Sequence, residues 1–169
     1  MHSFLKAGAI LLILTSAACT RPDRFGGVGA DGMGAGAGGA AGSLAAPDSP
    51  QYFNEAIGDR VLFAVDTSTL TPEGKAILDG QARWLMANTD YRAIIEGHAD
   101  EQGTREYNLA LGFRRANAVR EYLVSRGVPA GRLEVTSYGK ERPIEICSNE
   151  ACYAKNRRAV TVLSFARIS

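Results

Sequence analysis

An arginine and an asparagine interrupt what would otherwise be the apolar stripe of a long helix. Over residues 104–125 the sequence repeats at helical spacing, and one face collects Asn108, Leu111, Gly112, Arg115, Ala116, Val119, Tyr122 and Leu123. Most of these suit packing on a sheet; Asn108 and Arg115 do not. A buried guanidinium without partners costs several kcal/mol, so Arg115 either pairs with an internal carboxylate or is held ready for an external anion. Gly112 and Ala116 leave room beside it, and Gly112 costs the helix about 1 kcal/mol relative to Ala, which a close approach by something else would offset. Just upstream lies the polar turn His98-Ala-Asp-Glu-Gln-Gly103. Asp100 therefore sits at the carboxyl end of an apolar strand and near a helix N-terminus, where sheet proteins often place ligands. A second turn, Val65-Asp-Thr-Ser68, follows another strand and lies alongside if the two strands are neighbours. Asp66 in it is either a turn-former or a ligand. Acid, guanidinium and amide together suit a small zwitterion. A carboxylate would hold its ammonium and an arginine its carboxylate, at about 1.5–3 kcal/mol per charged hydrogen bond.

The elements that must position these groups begin well into the chain. Residues 1–18 have a basic start at Lys6, an apolar run from Ala7 to Leu14 and then small residues, the plan of an export signal too short to span a bilayer. Cys19 follows Ala17 and Ala18 and resembles the lipidated cysteine of a bacterial lipoprotein, although Ser16 stands where such signals usually carry Leu. Thr20, rather than an Asp, then points to the outer membrane, the folded part facing the periplasm. Each buried acyl CH₂ contributes about 0.8 kcal/mol, so several chains would anchor firmly. Residues 26–42 are nearly all Gly or Ala and carry too little side chain to bury, the composition of a tether. Residues 19–50 are thus expected to form lipidated cysteine plus linker, which spans roughly 30 Å as a coil and about 100 Å extended.

The folded unit is expected over residues 51–169. Strands are predicted at 60–65, 91–97, 133–138 and 159–165. Helices are predicted at about 71–88, where Thr71-Pro72-Glu73 marks the start, and 104–125, ending before Gly127 and Pro129. The order β-α-β-α-β-β predicts an α+β fold, a two-layer α/β sandwich with a mixed sheet covered by helices on one face.

At this point a resemblance becomes specific. The segment Glu96-Gly-His-Ala-Asp-Glu-Gln-Gly-Thr-Arg-Glu-Tyr-Asn-Leu-Ala-Leu-Gly-Phe-Arg-Arg-Ala116 resembles the signature of OmpA-like peptidoglycan-binding domains. So do Ser137-Tyr-Gly-Lys-Glu-Arg-Pro143 and Lys155-Asn-Arg-Arg-Ala-Val160. The resemblance covers roughly residues 52–167. It implies a ligand, the diaminopimelate of the peptidoglycan stem peptide, whose free end carries an ammonium and a carboxylate. It also implies Asp66, Asp100, Asn108, Leu111 and Arg115 as the residues that hold it. With its lipoprotein start, the chain is similar to the lipid-anchored branch of that family. The resemblance then implies membership of the Tol system in envelope integrity and cell division, with TolB competing for an overlapping surface and TolA linking to the inner membrane. Two departures stand out: Ala64-Val65 where relatives often have Asp or Gly followed by Phe, and Gln102 in place of a common Arg.

Other chemistries find little material. Net charge is +1, so nucleic acid is not an expected partner. Cys147 and Cys152, a close pair in an exported chain, are expected to form a disulfide. No cofactor and no metal site are expected, since after signal removal His98 is the one histidine left. A wall hydrolase or transferase would want metal ligands or an activated Ser or Cys, and no Gly-x-Ser-x-Gly occurs, so the chain is expected not to be an enzyme. A flagellar stator-like protein would need a spanning helix where the Gly/Ala tether stands. Positioning is the expected role of His98, and structure or partner docking that of Asn156, Arg157 and Arg158. Phe113, off the stripe, is a candidate protein contact; Trp84 fits a core or a rim equally well.

Overall fold

Two threonines start the two long helices. Thr71 Oγ1 accepts the amide of Gly74 at 3.0 Å and Thr104 Oγ1 that of Tyr107 at 3.2 Å, each satisfying an amide that the first turn leaves unpaired. In the computed structural model, residues 46–146 and 148–165 are described. The expected signal segment, the lipidation site Cys19, the tether up to residue 45 and Cys147 lie outside the described residues. The order is α1 (Pro50–Tyr52) continuing as a wider π-helical turn (Phe53–Gly58), β1 (Arg60–Leu62), α2 (Pro72–Ala87), β2 (Tyr91–His98), α3 (Arg105–Ser125), a 3₁₀ turn (Ala130–Arg132), β3 (Leu133–Gly139), α4 (Glu150–Asn156) and β4 (Arg158–Phe165).

The strands form one mixed sheet in the order β1-β4-β2-β3. β2 and β3 are parallel, and β4 runs antiparallel to both β1 and β2. Leu78, Ala82 and Leu85 of α2 meet Ala116, Val119 and Leu123 of α3 over Val61, Ala93, Ile95, Leu133 and Ala159 of the sheet in one core. The expected α/β sandwich is what forms. The stripe of α3 is buried as its spacing demands, including Asn108 and Arg115, with Tyr122 alone half-exposed.

The structure departs from expectation in three places. β1 and β2 are not neighbours, because β4 lies between them. α3 carries the chain across to β3 on the far side of β2, so the last strand returns into the remaining gap. There its residues Arg158, Ala159 and Thr161 are buried. Second, β1 is shorter than residues 60–65: Phe63 still donates to Arg157 O at 2.9 Å, after which the chain leaves the sheet. Third, two helical segments lie outside the expected list. Ser49 caps α1 through its side chain, and Asn149 Oδ1 caps α4 by accepting the Cys152 amide at 3.2 Å. The first of these brings residues assigned to the linker into the fold. Trp84, which is buried, donates its indole N–H to Pro47 O at 2.7 Å and packs against Phe53 at 5.0 Å and Tyr91 at 5.1 Å.

Candidate functional site

The register of β4 decides where the polar loops meet. Leu62 pairs with Arg158 and Gly97 with Ala159, so β4 begins at the end of the sheet where β1 and β2 finish. The β1–α2 and β2–α3 loops rise side by side there, separated by the residue that precedes β4, Arg157. Between them is a cavity of about 230 Å³ lined by Val65, Asp66, Asp100, Gln102, Gly103, Tyr107, Asn108 and Leu111. Four of the five residues expected to form a site, Asp66, Asp100, Asn108 and Leu111, thus share one cavity.

Each is positioned differently. Asp66 is exposed with a left-handed backbone (φ 53°) that Asp tolerates better than most residues, and its carboxylate accepts the phenol of Tyr107. Asp100 is buried; Oδ1 accepts the Gln102 amide at 3.3 Å and Oδ2 accepts Arg157 Nη1 at 3.1 Å. Asn108, also buried, shapes the same loop by donating to Gln102 O at 2.8 Å. Lys140 holds the loop from the other side, donating to Gly103 O at 2.7 Å. Leu111 supplies an apolar wall.

Arg115 is held by the backbone rather than by a carboxylate. It is 0% exposed, and its guanidinium donates to three backbone carbonyls, Thr67 O at 2.8 Å, His98 O at 2.9 Å and Ala64 O at 3.2 Å. It also lies 5.2 Å from the centre of the Phe63 ring. One side chain therefore ties the β1–α2 loop to the end of β2. Burial pulls its pKa down to about 10, against the opposing fields of Asp100 and Asp66, which leaves it charged at neutral pH. Asp100, the nearby acid, forms its ion pair with Arg157. The room beside Gly112 is likewise filled from inside the protein. A Cβ there would come within 2.4 Å of Ser137 Oγ and 2.8 Å of Gly97 O, so the glycine admits the sheet.

Arg157, expected to be structural or partner-docking, stands at the site. Arg157 also donates to Phe63 O at 3.3 Å and binds the Glu150 carboxylate. Its role becomes visible only once β4 is known to insert between β1 and β2. Tyr107 and Gly103 lie within the quoted motif but off the buried stripe. His98 contributes its carbonyl to Arg115, while its ring is buried beside Tyr138 and does not line the cavity. Neither ring nitrogen has a hydrogen-bond partner among the described residues. Burial first, then the fields of Arg158 and Arg142, lower its pKa to about 4, although Glu96 Oε2 lies 3.8 Å away. Asn156 is structural, accepting the Ile144 amide at 2.8 Å and donating to Glu145 O at 2.9 Å. Phe113 is 51% exposed. Cys152 is buried in α4.

The geometry can now be set beside known proteins. The OmpA family matches residues 62–157, a span containing every element from the end of β1 to Arg157. A peptidoglycan-associated lipoprotein of Rhizobium meliloti (strain 1021) is 53% identical over 137 residues, covering 81% of this chain and 75% of that protein. The chain belongs to the peptidoglycan-associated lipoproteins of the OmpA family. A member from Mesorhizobium japonicum is 46% identical over 94% of this chain and 89% of its own length. The crystal structure of the peptidoglycan-associated lipoprotein from Burkholderia pseudomallei superposes with a TM-score of 0.64 at 38% identity, covering 72% of this chain and 98% of that one. The C-terminal domain of Helicobacter pylori MotB reaches a TM-score of 0.60 at 20% identity, a likeness of fold alone. No helix among the described residues is long and apolar enough to cross a membrane.

Proposed function

We propose that the cavity at the carboxyl ends of β1 and β2 binds peptidoglycan non-covalently, taking the free end of the stem-peptide diaminopimelate, and that the chain holds the outer membrane to the cell wall. The observation that carries this reading is the pair of carboxylates, Asp66 and Asp100, facing one small cavity from two loops. An ammonium between them would make charge-assisted hydrogen bonds on the order of 1.5–3 kcal/mol each. The ligand's carboxylate would be drawn by the positive field of Arg115 and of the α3 N-terminus. Leu111 and Val65 would cover the methylenes between the two charges. Arg115 thus acts mainly as a positioning cation, and Asn108 as the clasp of the Asp100 loop. Holding rather than cutting is the proposed activity; incubation with sacculi should release no soluble muropeptides.

Family membership supports the remaining parts of the proposal. Residues 1–18 are removed on export, Cys19 is lipidated in the outer membrane, and residues 20–45 let the periplasmic domain reach the wall. Mass spectrometry of the mature N-terminus tests this, and an unmodified Cys19 would refute it. In the Tol system, TolB would compete with peptidoglycan for an overlapping surface and TolA would link to the inner membrane. Cys147 and Cys152 would be bridged, which thiol titration of the denatured chain checks. For the site itself, the test is co-sedimentation of the full mature protein with diaminopimelate-type sacculi. Asp100→Ala should lose binding while thermal unfolding stays cooperative, and retained binding would sink the assignment.

A further inference from the structure

The two cavity carboxylates are not in equivalent states. Asp100 is 8% exposed and its Oδ2 is held by a cation, Arg157, at 3.1 Å. Asp66 is exposed, and the partner of its Oδ1 is a neutral phenol, Tyr107, reaching across from the first turn of α3. The tyrosine is the third residue of α3, with its amide fixed by the Thr104 cap, so its backbone cannot follow a moving side chain. Tyr107 is 45% exposed, with the Arg114 guanidinium 5.8 Å from the centre of its ring. A change of side-chain torsion would therefore release Asp66 without disturbing the core. In the state seen here, the phenol occupies Asp66 Oδ1, one of the two carboxylate oxygens open to an incoming ammonium.

We propose that Tyr107 is a gate residue, bonded to Asp66 when the cavity is closed and displaced when a cationic group takes that carboxylate. This rests on the reading of the cavity as an ammonium-and-carboxylate site. The exchange runs in the right direction because a charge-assisted bond to a carboxylate is roughly twice as strong as one from a neutral donor. Asp100, already paired with a buried guanidinium, does not need to be freed in the same way. The cost of the gate is a reduced population of binding-competent molecules, and apparent affinity falls by that fraction.

The test is isothermal titration of the full mature chain with a soluble diaminopimelate-containing muropeptide. It compares wild type, Tyr107→Phe, Asp66→Ala and the double variant. Phenylalanine keeps the ring and removes the hydroxyl, so Tyr107→Phe should bind about three- to tenfold tighter, the worth of one modest hydrogen bond in the unliganded state. In the Asp66→Ala background, which has no acceptor for the phenol, the same change should add nothing, because the two positions act through one bond. Equal or weaker binding by Tyr107→Phe, with wild type binding normally, overturns the gate and leaves the site standing. A gain that persists in Asp66→Ala also overturns it. No binding by wild type removes the site reading and the gate together.

Discussion

Two arginines close opposite ends of β2 in the same way, and the proposed site lies at one of them. Arg115 donates to the carbonyl of His98, the last residue of the strand, and to Ala64 and Thr67 of the adjoining loop. Arg132 donates to the carbonyl of Tyr91, the first residue, and to Leu85 and Asn88 at the end of α2, each at 2.8 Å. In both, a planar fork locks carbonyls from two segments that strand pairing cannot reach. At the Arg132 end the guanidinium is half-exposed. At the Arg115 end it is sealed, and the loops it fastens lift two carboxylates over a cavity. A guanidinium inside a fold is thus not evidence of a ligand by itself. The acids it leaves poised above are.

The largest break in this comparison comes from Arg115→Ala. It strands the buried His98 carbonyl, frees the two loop carbonyls and empties a fully buried side-chain site, and unfolding should become easier by roughly 3–5 kcal/mol, with peptidoglycan binding lost along with loop order. Chemical denaturation measures this; a loss well under 1 kcal/mol would show that the staple matters little. Next in size is pH. His98 is neutral in the fold, its pKa lowered to about 4 from 6.5, so its contribution is intact above pH 6.5 and is lost as pH falls toward 4. The loss by pH 4 is on the order of 3 kcal/mol. A His98→Phe variant should lack that part of the pH slope, and an unchanged slope would contradict the buried neutral imidazole. Gly112→Ala should cost about 1–3 kcal/mol by forcing α3 away from β2 and Ser137, read as a lower midpoint of thermal unfolding. Smallest is Arg132→Ala, about 1 kcal/mol, because water can reach the carbonyls it releases. Its binding to sacculi should match wild type, which separates the staple from the site.

Much of this was legible in the sequence, and the exceptions share a cause. The α3 face could be read residue by residue because burial on a helix follows a fixed angular period, and Thr71 announced its helix by capping chemistry. Asp66, Asp100 and Asn108 could be grouped because each lies on a strand-following loop or on that face, and Leu111 joined them through the family resemblance. Arg115 was found by its misplacement, but its partners are backbone carbonyls, which carry no residue identity and so leave no sequence signal. Arg157 depends on the insertion of β4 between β1 and β2, a long-range pairing that local periodicity does not encode. Tyr107 lies on the exposed side of α3, where polar surface is the ordinary condition. The packing of Pro47 under Trp84 was hidden by composition, since Ala-Pro-Asp-Ser-Pro reads as linker whether or not one carbonyl is held.

The central claim is that the cavity recognises a zwitterion, and sacculi of two chemistries test it most directly. Full mature protein should co-sediment with sacculi whose stem peptides carry diaminopimelate. It should fail to do so with sacculi carrying lysine, which keeps the ammonium and lacks the neighbouring carboxylate. Equal binding to both would contradict the account.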